Sequence, residues 1–240
     1  MAAMLLGSKP YYELELNTIA HYPDLQALEP CNLIGTRYQT KLSNLTGLRD
    51  LSQKTIDVYR LLQHLITEKE RAAGLQGLEI TEAEFQSLQL YTFRLMYRLV
   101  ALIQYKIPDS QNNNALIYGL FGYAGMVHIM MFSWNLIGYG TMVSARIQSI
   151  LEMINRQAFQ IAYPEMMLWI TVLGGLASTG NESRKWFVKI LAELCRAAGI
   201  GTIAELALSL SEFLWSDFYF ICPIFDEFWD DLTIWISEDV

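Results

Sequence analysis

The sequence predicts an all-α fold: a single multi-helix bundle of roughly eight to ten helices with a buried, uncharged central helix. Three observations carry this expectation. Apolar residues recur at three- and four-residue spacing through most of the chain after position 50. Capping residues, prolines and glycines cut those stretches into pieces of ordinary helix length. No segment alternates apolar and polar residues as a half-buried strand does, and there is no internal repeat.

Residues 1–50 read as an irregular N-terminal arm, because Pro10, Pro23, Pro30 and Gly35 interrupt every short apolar stretch. Residues 51–240 read as one all-helical domain. Leu51, Thr55, Val58, Leu62, Leu65 and Ile66 share a helix face, and that helix fades at Ala73-Gly74. Thr81 and Glu84 form a capping box, in which each side chain satisfies an orphan backbone N–H. The helix that follows carries Phe85, Leu88, Leu90, Phe93, Leu95, Tyr97, Leu99 and Leu102, and stops near Ile107 because Pro108 disfavours helix before it. The polar stretch 109–114 is a loop.

From Ser110 to Ala145 the chain has no Asp, Glu, Lys or Arg. That run is long enough to cross a bilayer. It also holds Gly119, Gly122 and Gly125, then His128, Ser133, Asn135 and Gly138, and no Lys/Arg cluster flanks it. A core helix, apolar all round, is therefore preferred to a bilayer span. The glycines, three apart, leave a bare strip for another helix. Beyond it, Arg146 to Ala162 continues helically. Pro164 suits the first turn of a helix ending near Leu176, before a turn at Thr179-Gly180. Asn181 caps a helix ending at Gly199. Thr202 and Glu205 repeat the capping box for a helix closing near Trp215, and Pro223 opens a last one.

The charge is uneven. The formal net charge is −8, and all of it resides from Glu212 onward, where eight carboxylates face no cation. The remainder balances 17 acids against 17 bases. Without a basic stripe, nucleic-acid binding by this chain is not expected, since phosphate contacts need clustered Lys and Arg. Cys31, Cys195 and Cys222 are widely spaced, with no CxxC or Cys/His cluster, so they read as ordinary thiols in a reducing, intracellular compartment, cytoplasmic or nuclear. The start of the chain lacks the basic segment and long apolar run of a signal peptide.

One family pattern stands out. It runs Pro164-Glu165-Met166-Met167-Leu168-Trp169, then Leu173-Gly174-Gly175-Leu176-Ala177, Gly180 and Arg184-Lys185-Trp186-Phe187. After a spacer come Phe213-Leu214-Trp215 and Phe228-Trp229-Asp230-Asp231-Leu232. This stretch resembles the C-terminal helical regulatory region of fungal binuclear zinc-cluster transcription factors. The resemblance implies an all-α domain concerned with regulation, dimer contacts or response to small molecules. The six-cysteine zinc cluster and its basic linker are missing, so DNA binding does not carry over; Met1 favours a stand-alone chain over a fragment. On the residues themselves, Gly174-Gly175 permits close helix approach or a sharp turn. Arg184 is expected to pair with a carboxylate, with Glu165, Asp226 and Asp230 the candidates.

No P-loop, GxGxxG, HExxH or GxSxG motif is present. His21 and His64 read as a residue of the arm and a solvated surface group. His128 stands inside the uncharged run, where an imidazole must find a hydrogen bond or accept a desolvation cost. It reads either as a satisfied core histidine or as a polar group facing an apolar cavity. In the second reading His128 and Tyr123 are the catalytic candidates, and Tyr118, Met131, Trp134, Asn135 and Tyr139 the ligand-binding ones. With no carboxylate nearby, neither a metal nor a cofactor is expected. Two functions follow as expectations. One is a transcription-factor-like helical protein of fungal secondary metabolism that binds an apolar small molecule or a protein partner. The other is a cofactor-independent cyclase or isomerase of natural-product biosynthesis, holding its substrate in an apolar cavity. The apolar fraction, 52%, also leaves surface for a homodimer.

Overall fold

The computed structural model describes residues 37–38, 40–41, 49–72, 81–104, 116–134, 140–216, 219 and 223–237. Among them are nine helices and no strand, so the all-α expectation holds. The chain divides into two compact units, 1–110 and 111–240, at the polar stretch read as a loop. Most of the expected arm, His21, Cys31, Cys222 and the loop itself lie outside the described residues. Within the arm, Arg37, Tyr38, Thr40 and Lys41 are helical, and the buried Tyr38 ring lies 5.3 Å from the Arg37 guanidinium carbon.

The first unit contains α1 (Arg49–Ala72) and α2 (Glu82–Ile103). They run antiparallel: Arg71 reaches Glu84 at 3.6 Å, while the Tyr91 hydroxyl donates to the Leu61 carbonyl at 2.8 Å. Thr55, Val58, Leu62, Leu65 and Ile66 are buried, as their spacing requires. On α2 the buried set is Thr92, Arg94, Leu95, Met96, Leu99, Val100 and Leu102, whereas Phe85 and Phe93 are exposed. The α2 stripe is thus narrower than its apolar sequence, and its first two turns stand clear of the core. His64 is half-buried, not solvated, because its ring packs edge-on to Tyr91 at 5.5 Å.

The second unit contains α3 (Leu116–Trp134), α4 (Gly140–Met153), α5 (Arg156–Ala162), α6 (Pro164–Ala177), α7 (Ser183–Ala198), α8 (Ile203–Ser211) and α9 (Pro223–Ser237). The uncharged α3 is long and apolar enough to cross a membrane by length and composition, and 67% of that window is buried inside the protein. A second apolar helix shares the centre. Pro164 occupies the first turn of α6, Glu165 is its one charged residue, and Met166 through Ala177 are all buried. α6 touches each of the other six helices of its unit.

Small residues set the spacing around α6. A Cβ on Gly174 would stand 2.3 Å from the Phe187 ring of α7, and one on Gly175 would stand 2.4 Å from the Phe228 ring of α9. Gly174-Gly175 therefore serves close approach, not a turn. Gly140 likewise fits directly against Ala177. Gly119, by contrast, has open space where its side chain would be, so the expected bare strip is not a contact at that position.

The boundaries follow local chemistry. Both capping boxes are formed, at Thr81/Glu84 and Thr202/Glu205. Asn181 starts the turn into α7: its side chain accepts from the Ser183 N–H at 3.3 Å, and its carbonyl accepts from the Arg184 N–H at 3.0 Å. α7 ends at Gly199, whose φ of +70° suits glycine. α8 stops at Ser211, short of Trp215, because the chain turns there to bury Phe213 and Leu214.

Candidate functional site

Two places in the second unit bear on function: the surroundings of His128, and an open groove beside the first turns of α6. The α3 face bearing His128 is defined by helical spacing, which aligns Tyr118, Phe121, Gly125, His128 and Phe132. His128 is fully buried. Its Nδ1 shares a hydrogen bond with the hydroxyl of Tyr219. Its ring lies 5.0 Å from Phe132, 5.7 Å from Tyr219 and 6.2 Å from Trp169. From there the aromatic packing continues to Trp215 and Phe225 on one side and to Phe213 and Phe121 on the other. Trp169 is 1% exposed, and its indole N–H has no hydrogen-bond acceptor among the described residues.

The sequence candidates are distributed as follows. His128 and Tyr118 are buried, and Tyr123 and Met131 are half-buried. Tyr123 is five positions from His128, about 140° around the helix, so the two point apart. The hydroxyl that reaches His128 belongs to Tyr219. The Trp134 side chain, Asn135 and Tyr139 lie outside the described residues. Tyr163, on the α5–α6 junction, is buried; burial and then the neighbouring Tyr118 push its phenol up to about 12, so it stays protonated at neutral pH. Burial likewise pushes the Cys195 thiol up to about 12, which removes it as a nucleophile. No group of three or more metal-ligating side chains occurs among the described residues.

Acid–base work requires a histidine within reach of the substrate. With 0% exposure, His128 meets protein rings instead. Its geometry suits holding the Tyr219 segment against α3.

The groove has a volume of about 480 Å³ and is open to solvent. Leu168 of α6, Leu194 of α7 and Ile200 form its buried floor. Ile161 of α5 and Leu208 of α8 stand on its lips, 74% and 69% exposed. Among the described residues its charged side chains are Glu165 and Glu212, with Gln160 and Ser209 as further polar groups. No signal in the uncharged run points here. The available clue was in α8: Leu206 and Leu210 form the buried stripe, and Leu208 is apolar on the opposite side.

The family-like positions also acquire roles. The Arg184 Nε donates to Asp231 at 2.6 Å, its Nη1 donates to Thr179 at 3.1 Å, and its guanidinium lies over Phe228. The partner is therefore Asp231 and not Glu165, Asp226 or Asp230, because one helical step carries Asp231 toward α7 and leaves Asp230 exposed. Compared with protein-family models, curated proteins and solved structures, the chain matches none.

Proposed function

We propose that this protein is a transcription-factor-like helical body that works by binding, through the groove at the start of α6, an apolar small molecule or an apolar segment of a protein partner. The groove carries the reading. Its volume falls in the range of ordinary ligand sites. Ile161 and Leu208 are large side chains left in water, and covering each contributes on the order of 1–2 kcal/mol. The resemblance to fungal zinc-cluster regulatory regions supports a regulatory setting, tied to fungal secondary metabolism and intracellular. The positions carrying that resemblance build the unit around α6, so they supply a scaffold and the groove supplies the recognition. The acidic balance favours action through a partner over direct DNA contact. A homodimer is compatible with the same apolar surface.

The alternative, a cofactor-independent cyclase or isomerase acting at His128, is the lesser reading. It requires the Tyr219 segment to withdraw before any substrate reaches the imidazole.

A neutral apolar fluorophore such as N-phenyl-1-naphthylamine tests the proposal. Saturable binding to the full chain, weakened at least about tenfold in Leu208→Gln with unchanged thermal stability, is the expected result. Binding that ignores Leu208→Gln and Ile161→Gln would remove the groove as the site.

A further inference from the structure

We infer that Met142 and Met153 form a reversible oxidation site on the outer side of α4, where peroxide converts both thioethers to sulfoxides and leaves the fold intact. Exposure carries the inference. Met142 is 61% and Met153 58% exposed, whereas Met96, Met126, Met130, Met166 and Met167 are each exposed by 2% or less. A dissolved oxidant reaches the first two sulfurs directly. It reaches the core sulfurs only when their helices open, and a sulfoxide there would set a polar group among apolar neighbours. Met142 is the third residue of α4 and Met153 its last, so each also lies in a terminal turn, where local opening costs least.

The two are eleven residues apart, about three helical turns with only about 20° of net rotation, so they lie on one line of the helix. Arg146 and Ser149, both exposed, stand between them on that line. The opposite side of α4, with Val143, Ser144, Ile147 and Leu151, is buried. Arg146 follows Met142 by four residues and Ser149 precedes Met153 by four, the spacing at which helical side chains meet. Each new sulfoxide oxygen therefore has a hydrogen-bond donor within one turn. In the reaction a sulfur lone pair takes one oxygen of hydrogen peroxide. The S–O bond forms as the O–O bond breaks, and the proton of the transferred hydroxyl passes to the leaving hydroxide, which departs as water. Sulfur loses the electron pair that peroxide gains. Methionine sulfoxide reductases return it with electrons from thiols. The groove's lining begins at Gln160, beyond α4, so this site is independent of the binding reading.

The experiment gives the full chain a brief pulse of hydrogen peroxide, once folded and once in urea. Free methionine quenches the pulse, and mass spectrometry of the digest assigns each added oxygen from fragment spectra. In the folded chain Met142 and Met153 are expected to oxidise at least about tenfold faster than Met126, Met130, Met166 and Met167, and in urea the rates should converge. The chain carrying oxygen at Met142 and Met153 should keep its cooperative thermal transition and its midpoint. Reductases of both epimer specificities should then restore both thioethers. Equal rates in the folded chain, or oxidation of Met166 or Met167 ahead of Met142 and Met153, overturns the inference. A thermal transition lost on oxidation of these two residues alone overturns it as well, and so do sulfoxides that the reductases cannot remove.

Discussion

Tyr219 and His128 are joined by a hydrogen bond across a separation of 91 residues. Both are buried, so the bond replaces water for two polar groups in an aromatic interior. Removing the hydroxyl leaves the imidazole without this partner. Tyr219→Phe is expected to cost about 1–3 kcal/mol in urea unfolding. A loss below about 0.5 kcal/mol would show that the contact does not hold this segment. His128 was legible as an unusual residue, because an imidazole in an uncharged run must be satisfied. Tyr219 was not legible, since nothing in the local pattern relates position 219 to 128. The departure at Tyr123 has the same origin: nearness in sequence is not a shared helix face. At Arg184 the need for a carboxylate was legible, but selecting Asp231 over Asp230 depended on the rotation of α9.

Helix ends are where local sequence and structure agree best. Thr202 and Glu205 close their box within four residues, so no distant contact can override it. Thr202→Ala is expected to destabilise by about 1 kcal/mol, read as a fall in the unfolding midpoint. The Glu205 carboxylate accepts from the Gly201 and Thr202 N–H groups, which hold its carboxyl below the ordinary value of 4.5. A lowered folded-state value means the unfolded chain binds the proton first. The contribution is therefore fully present above about pH 5 and is lost as pH falls through the lowered folded value. Glu84 behaves the same way at Thr81. Glu205→Gln should flatten the stability profile below about pH 5; an unchanged slope would count against the box. In contrast to the caps, Gly174 and Gly175 answer to tertiary neighbours. Gly174→Ala forces its Cβ toward the buried Phe187 ring, and an overpacking loss of about 1–3 kcal/mol is expected by thermal unfolding.

Across the whole chain, the acidic run that begins at Glu212 acquires a place. α9 buries Phe225, Phe228, Trp229 and Leu232 while exposing Asp226, Glu227 and Asp230, so its acidic-aromatic composition is that of an amphipathic helix. With its own core around α6, the 111–240 unit should fold by itself. A fragment of those residues is expected to give helical circular dichroism and one cooperative thermal transition. A broad, non-cooperative melt would show that the unit depends on the remainder of the chain.

Fold class, most helix boundaries and the scaffold positions around α6 could be read from one dimension, because helical periodicity, caps and Pro/Gly punctuation are short-range effects. The His128–Tyr219 bond, the Arg184–Asp231 pair and the groove could not. They arise where side chains from helices distant in sequence meet, and their positions depend on how each helix is rotated about its own axis. A single apolar residue such as Leu208 looks the same in sequence whether it is core or lip; the packing of α5, α6, α7 and α8 leaves it in water.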